Sequence, residues 1–167
     1  MLKTPNDLAV DACLLTLEQL SVLEQAIDTA AHAFVQRCRD ERKDRRAMIA
    51  SQLREGGRPE YSPFVLTYRL NRGYIELSWG ELTYRRGSTK PFLKRVPMTS
   101  GGTHFTRILT GAHPDEADLI RSHEVQARAF RKLWSTYVQA RRELAKVKTA
   151  VDQVAALETD PMVVASR

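Results

Sequence analysis

The last third of the chain carries apolar residues at the spacing of a long helix that packs lengthwise against another helix. Steps of three and four alternate through Phe130, Leu133, Tyr137, Ala140, Leu144, Val147, Val151 and Val154. Such an a/d repeat over more than three heptads is typical of coiled-coil-like pairing. Pro114 and the two acids after it suit a helix start. We therefore predict a helix over 113–158 and a disordered tail over 159–167.

A second long helix is predicted at the start of the chain, over residues 4–55. Thr4 and Pro5 form a capping signal, and Gly56 supplies a stop. The main apolar stripe consists of Cys13, Leu17, Leu20, Leu23, Ile27, Ala30, Phe34 and Cys38. Further apolar residues are Val10, Leu14, Leu15 and Val22. Apolar residues on more than one face predict that this helix is buried against several partners.

Residues 61–98 show the two-residue alternation of β-strands. Glycine-containing turns at 71–73 and 86–90 separate three strand-like segments, which predicts a three-stranded antiparallel meander. The apolar residues of the second segment change phase after Gly80, and a β-bulge is predicted there. Prolines at both ends of the third segment predict an edge strand. Residues 99–112 are predicted to form a loop. The apolar residues that could dock it as a short helical turn are Phe105, Ile108 and Leu109.

These elements predict an α+β fold in a single domain, 1–167. Two long antiparallel helices would pair as a coiled-coil-like hairpin, with the three-stranded antiparallel β-meander between them. Trp79, Phe130 and Trp134 are predicted core residues that fix the sheet on the helices. The same apolar stripes could join two chains as a homodimer. Pairing within one chain is favoured, and both arrangements stay open.

The net positive charge is concentrated beside the predicted hairpin. Residues 82–114 hold six basic residues and no acid, which accounts for the whole net charge of +6. Aromatic residues interleave with the cations, and an acid-free ribbon of this kind predicts a surface for a polyanion, with duplex DNA favoured over single-stranded DNA. The alternative is an edge strand that cations protect from aggregation. The residues expected to bind nucleic acid are Arg85, Arg86, Lys90, Lys94, Arg95, His104 and Arg107, with Thr103 assisting.

A second run of charge lies in the first predicted helix, at residues 37–46. It contains six basic and three acidic residues, an ordinary pattern for a helix face in water. The favoured interpretation is a solvated face, and phosphate contact along a groove is the alternative.

No catalytic site, metal site or cofactor is predicted, and the chain is not expected to be an enzyme. His32 is interpreted as a core or interface residue. His113 and His123 are interpreted as part of the solvated start of the last helix rather than as metal ligands. No nucleophile has a base at recognisable spacing, and no phosphate-binding glycine motif occurs.

The two cysteines predict a reducing environment. Cys13 and Cys38 lie 25 residues apart in the sequence, about 37 Å along one helix, so they cannot pair with each other. Free cysteines are typical of a cytoplasmic protein. Neither a signal peptide nor a membrane span is expected, because no apolar run has the required length or flanks.

The order of the segments, together with three sequence patches, resembles the MobI family of conjugative transfer proteins. The patches are 75–79 (Ile-Glu-Leu-Ser-Trp), Tyr84 with 90–95, and 124–142 with its Phe-Arg-Lys at 130–132. The resemblance covers about residues 65–144 and includes no single diagnostic motif. It implies a bacterial mobile-element protein that recognises the origin of transfer and helps a relaxase to act there. The family supplies no catalytic residues to carry over.

The predicted function is therefore a DNA-binding accessory protein of bacterial conjugative transfer. It would recognise or organise origin-of-transfer DNA through the basic β-hairpin, with a relaxase or another transfer protein as partner and no membrane contact. The alternative is a non-enzymatic coiled-coil adaptor that acts by protein–protein assembly. DNA binding would weaken steeply with salt, whereas an adaptor would self-associate without shifting DNA.

Overall fold

The computed structural model describes residues 5–52, 61–71, 73–84, 86–97 and 103–159. In chain order the elements are α1 (Pro5–Gln52), β1 (Phe64–Asn71), β2 (Tyr74–Tyr84), β3 (Pro91–Arg95), α2 (Thr103–Thr110) and α3 (Pro114–Thr159). The α+β class is confirmed, with a long N-terminal helix, a three-stranded antiparallel sheet and a long C-terminal helix. Across the described residues, no helix has a stretch both long enough and apolar enough to cross a membrane.

The chain divides into two compact units. Residues 1–27 and 133–167 form one, which we call the helical unit, and residues 28–132 form the other, the sheet unit. Both long helices contribute to both units, since α1 has 48 residues and α3 has 46. The sheet unit contains all three strands, α2 and every residue that the sequence predicts to bind nucleic acid.

The sheet is a meander in the order β1-β2-β3. Gly73 and Gly87 stand in its two turns with φ of 73° and 80°, a left-handed conformation that glycine adopts without the steric cost of a Cβ. The predicted edge position of β3 is confirmed, and each of its residues is exposed. β1 forms the other edge of the sheet.

The predicted β-bulge at Gly80 is wrong. Gly80 pairs with Val65 on β1 and with Arg95 on β3, and the register is regular on both sides of it. A Cβ at this position would lie 2.5 Å from Leu93 Cδ1, so glycine leaves room for the Leu93 side chain. The apolar residues of β2 change from odd to even positions in a regular strand, so Leu82 simply lies on the opposite face from Trp79.

The core of the sheet unit lies on one face of β2. Ile75, Leu77 and Trp79 alternate along the strand and are all buried. Ser78 and Gly80 on the opposite face are buried too, so the middle of β2 is covered on both sides. The rings of buried Phe34 and half-buried Phe130 stack with their centroids 5.1 Å apart. The predicted core position of Trp79 is confirmed, and Trp134 is buried in the helical unit.

The predicted apolar stripe of α3 is right at alternate positions and wrong between them. Tyr137 is buried and Val151 is half-buried, as predicted, whereas Leu133 and Val147 are exposed. Trp134 takes the inward position instead of Leu133. Two stripes one residue apart have the same three-and-four spacing, and the larger indole gains more from burial.

The same one-residue displacement occurs on α1. Leu23 is exposed and Glu24 lies inward, where its carboxylate accepts hydrogen bonds from Tyr137 Oη and from Arg141 Nη1, the latter at 2.6 Å. Ala30 is likewise exposed, whereas Ala31 is fully buried. For Glu24, polar partners on α3 thus decide which of two adjacent stripes of α1 is buried.

The predicted loop over 99–112 contains a two-turn helix, α2, over Thr103–Thr110. Ile108 is buried, and Gly111 closes the helix by donating its N–H to the carbonyl of Arg107 at 3.0 Å. Burial of the apolar side stabilises a helix that is too short to form alone. The predicted end of the first helix at 53–55 and the predicted tail over 160–167 lie outside the described residues.

Candidate nucleic-acid interface

The outer half of the β2–β3 hairpin is exposed in its turn and along β3, whereas residues 81–83 of β2 are half-buried. We call residues 81–84 and 86–95 the distal hairpin. Three of its cations are exposed, Arg86 and Lys90 in the turn and Lys94 on β3. Within the described residues, none of the three forms an ion pair, although Lys94 stands opposite Glu81 in the register. Three positive charges are therefore available to a ligand.

Two other predicted binding residues already have acidic partners. Arg95 forms an ion pair with Glu76, and Arg107 Nη2 lies 3.3 Å from Glu81 Oε2. Both acids are on β2, just before the acid-free stretch of sequence begins. The stretch has no acid along the chain, but in space the antiparallel pairing places carboxylates beside it. Arg95 and Arg107 would have to exchange these partners for a ligand.

The remaining predicted residues fall where side chains are not described. Arg85, Thr103 and His104 belong to this group, Arg85 entirely and the other two in their side chains. Their role in binding stays a prediction.

Large apolar side chains accompany the cations. Tyr84 is 66% exposed, and Phe92 and Leu93 are also exposed. Phe105, the third predicted aromatic residue, is instead half-buried beneath the guanidinium of Arg128, which lies 5.6 Å from the ring centroid. Exposed rings beside cations can stack on bases or pack on sugars. The distal hairpin thus offers both charge and ring faces.

A buried carboxylate fixes the inner half of the hairpin to α3. Glu124 accepts a hydrogen bond from Trp79 Nε1 at 2.8 Å, and from Arg128 Nε at 2.8 Å and Arg131 Nη2 at 2.6 Å. Arg131 also donates to the carbonyl of Leu77 at 3.1 Å. These contacts hold the inner end of the hairpin against α3.

The charged run of α1 is only partly solvated. Arg42 is 5% exposed, so the prediction of a solvated face is wrong for this residue. Next to it lies a cavity of about 240 Å³ between α1 and β1. The residues that line the cavity are Cys38, Arg39, Arg42, Lys43, Arg46, Val65 and Leu66. Four of these seven are cationic, but the surface that they enclose is almost entirely apolar, because their aliphatic stems rather than their charged ends face the cavity.

Arg39 and Lys43 are absent from the predicted binding set. The sequence held a signal for such a site, because Arg39 and Lys43 are spaced i,i+4, as are Arg42 and Arg46. Like charges at this spacing destabilise a helix on their own. Two such pairs in succession indicate a partner of opposite charge from elsewhere in the fold, and among the described residues the Arg42/Arg46 pair has one.

One partner is Glu116, whose side chain is fully buried between two guanidiniums. Its Oε1 lies 3.0 Å from Arg42 Nη2 and 3.2 Å from Arg46 Nε, and its Oε2 accepts the N–H of Ser62 at 2.5 Å. Burial alone raises the pKa of Glu116. The Ser62 hydrogen bond and the two guanidiniums outweigh burial and hold the pKa below its usual range. This ion cluster joins α1, the start of α3 and the residues before β1.

The cysteine in the cavity is not reactive. Burial, with the nearby negative charge of Glu41, raises the pKa of Cys38 to about 12. The thiol is therefore protonated at neutral pH and is a poor nucleophile. Among the described residues, no group of three or more His, Cys, Asp or Glu could hold a metal ion.

Two histidine interpretations need correction. His32 is exposed, so a core position is wrong for it, but its ring meets Tyr68 of β1 edge-on at 5.4 Å between centroids. His123 is buried instead of solvated, and its Nε2 lies 2.7 Å from Glu41 Oε2. His113 does lie near the start of α3, with Nδ1 3.5 Å from Asp115 Oδ2.

The buried His123 predicts that the sheet unit loses stability in acid. Burial lowers the pKa of His123 more than the hydrogen bond and charge of Glu41 raise it. Below the unfolded pKa of about 6.5, the unfolded chain binds a proton that the folded chain does not. The free energy of unfolding should therefore fall as the pH drops from about 7.5 to about 5.5.

Urea unfolding at both pH values, on the wild type and on His123→Gln, measures this effect. The variant should show the smaller pH dependence, and His113→Gln should behave as the wild type. A wild type that becomes more stable at the lower pH would mean that pairing of an imidazolium with Glu41 outweighs burial.

Comparison with known proteins gives no relative for this chain. No protein-family model matches it. Neither a curated protein nor a solved structure matches it.

Proposed function

We propose that the chain binds DNA through the distal hairpin. The observation that supports this most directly is the group of three exposed cations, Arg86, Lys90 and Lys94, without acidic partners among the described residues. Exposed Tyr84 and Phe92 lie beside them. Phosphates would attract the cations, and the rings would contact sugars or bases. A two-stranded ribbon fits the major groove of a duplex, so duplex DNA is the proposed ligand.

The proposed setting is bacterial conjugative transfer, in the cytoplasm. The resemblance to the MobI family is the basis for this setting, and the chain would act as an accessory protein at origin-of-transfer DNA. A relaxase or another transfer protein would be its partner. Preference for transfer-region DNA over random DNA is the property that separates this role from general DNA binding.

Neutralising the three cations tests the hairpin. Arg86→Gln, Lys90→Gln and Lys94→Gln together remove up to three phosphate contacts, so the slope of log affinity against log salt should become shallower by about 2.7. At low salt the affinity should fall by at least about tenfold. Fluorescence anisotropy with labelled duplexes, random and from the transfer region, measures both quantities between about 50 and about 300 mM salt.

A matched variant removes the same charge from a different surface. The control variant combines Arg142→Gln, Lys146→Gln and Lys148→Gln. These residues lie on α3 in the helical unit, so this triple variant should bind as the wild type does. Equal losses in both triple variants would exclude the hairpin as a specific contact surface. A wild type that binds no duplex even at low salt would overturn the proposal of DNA binding.

Exposed apolar residues of the helical unit favour a second candidate, an adaptor that acts by protein–protein assembly. Leu15 and Val22 on α1 are exposed, as are Leu133, Val147 and Val154 on α3. Two helices alone have little apolar surface to bury against each other, and patches of this kind mark interfaces. In this proposal α1 and α3 pair as a coiled-coil-like hairpin within one chain, and their outer faces receive a second copy.

A further inference from the structure

The cavity between α1 and β1 is apolar although four of its seven lining residues are cationic. The guanidinium of Arg42 is bonded to Glu116, at 3.0 Å, and to the carbonyls of Ser62 and Phe64. Arg46 lies 3.2 Å from the same carboxylate and donates to the carbonyl of Ser62 at 2.7 Å. The charged ends of both arginines are thus engaged by the ion cluster. What the two residues present to the cavity is their aliphatic stems.

The other lining residues add no polar surface of any size. Arg39 and Lys43 are exposed, and a long side chain that lies along an apolar surface keeps its charged end in water. Their methylene groups therefore form this part of the wall. Cys38, Val65 and Leu66 complete it, and the thiol of Cys38 carries no charge at neutral pH because burial raises its pKa to about 12.

Much of the wall is fixed before any ligand arrives. Glu116 immobilises Arg42 and Arg46, and Cys38 and Leu66 are only 2% and 3% exposed. The cavity is also partly open to solvent, which gives a ligand a way in. A preformed pocket loses little conformational freedom on binding, so even a small ligand can bind with measurable affinity.

The size and chemistry of the cavity select an apolar ligand. Its volume of about 240 Å³ exceeds that of an apolar protein cavity of about 150 Å³ that stays dry and binds benzene. Water is a poor occupant, because it needs about two to four polar partners. A charged group would lose its hydration without gaining a partner. The space suits about one or two aromatic rings.

Larger occupants fit this place less well. The carbonyl of Phe64 lies on the free edge of β1 and already accepts a hydrogen bond from Arg42, so an added strand would lose a ladder bond here. A second copy would bring its own exposed Arg39 and Lys43 against the same two cations, which like-charge repulsion opposes. A small molecule meets neither obstacle.

We propose that this cavity binds a small uncharged aromatic compound. Burial of the apolar ring against Val65, Leu66 and the methylene stems would drive binding. The cavity lies in the sheet unit, between α1 and the first strand. It is separate from the distal hairpin and does not depend on DNA binding there.

Titration with indole, followed by calorimetry, tests the cavity without any nucleic acid. The wild type should bind indole saturably, with a dissociation constant of about 1 mM or below. Cys38→Met lengthens a side chain of the wall, and the filled space should weaken binding by at least about tenfold. Cys13→Met is the matched control, because it makes the same change at a buried cysteine of the helical unit. This control should bind as the wild type does, and circular dichroism checks the fold of both variants.

Methyl NMR of the wild type locates the ligand and does not depend on any variant. Indole should shift the methyl signals of Val65 and Leu66 and give intermolecular NOEs to them, whereas Leu133 and Val147 on α3 should be unaffected. No saturable binding by the wild type, unshifted methyl signals at the cavity, or equal losses in both methionine variants would overturn the proposal. Shifts of the Val65 and Leu66 signals with protein concentration in the absence of indole would assign the cavity to a second copy and overturn it as well.

Discussion

Glu116→Gln should lower the free energy of unfolding of the sheet unit by about 3–5 kcal/mol. The substitution keeps the shape of the side chain but removes the negative charge that two guanidiniums share. Arg42 would then be a buried cation with neutral partners, since its remaining contacts are the carbonyls of Ser62 and Phe64. The large cost comes from leaving a charge buried without its counter-charge, and it exceeds what the intact pair contributes to stability.

Tryptophan fluorescence during urea unfolding measures this loss in the unit concerned. Trp79 lies in the sheet unit and Trp134 in the helical unit, so a Trp134→Phe background leaves Trp79 as the sole reporter. Asp115→Asn is the control, because it removes the same negative charge from the adjacent residue, which is exposed. Adding Arg42→Met to Glu116→Gln should recover part of the loss, because no unpaired buried cation remains. A loss below about 1 kcal/mol for Glu116→Gln would contradict the assigned role of the cluster.

Periodicity in the sequence was sufficient to predict the two long helices and the three strands, but not the short helix α2 or the packed faces of the long helices. The alternation in 64–70 and the two glycine turns predicted the meander, because strand period and turn chemistry are local properties. The choice between Leu133 and Trp134 on α3 is not local. It depends on which side chains of α1 lie opposite, such as Glu24 with its contacts to Tyr137 and Arg141.

The candidate site likewise has features that are visible along the chain and features that depend on the fold. The cations of the distal hairpin could be predicted, because a run without acids is visible along the chain. The pairing of Arg95 with Glu76 could not, because Arg95 stands opposite Gly80 in the register and its side chain reaches along β2 to Glu76. The cavity at Arg39 and Lys43 depends on contacts between residues more than 20 positions apart, which sequence spacing does not reveal.

The second large effect is expected on self-association. The outer face of α1 in the helical unit carries its own a/d repeat, with steps of four and three. Its members, all exposed, are Leu8, Ala12, Leu15, Gln19, Val22 and Ala26. Val22 is 68% exposed, and helices with such repeats pair through them. We expect the protein to dimerise through this stripe, since the same face on two copies is self-complementary under two-fold symmetry.

Leu15→Glu with Val22→Glu should weaken the dimer by at least about 100-fold, because each lost apolar contact counts on both copies and four carboxylates would meet at the interface. Sedimentation velocity over a range of protein concentrations measures the dissociation constant. Ser21→Glu with Gln25→Glu adds the same charge to the same helix outside the stripe, and this control should still dimerise. If the wild type stays monomeric at every concentration, or if the control dissociates equally, a second copy is not the occupant of this face. The adaptor candidate would then need a different protein to cover the apolar residues of α1.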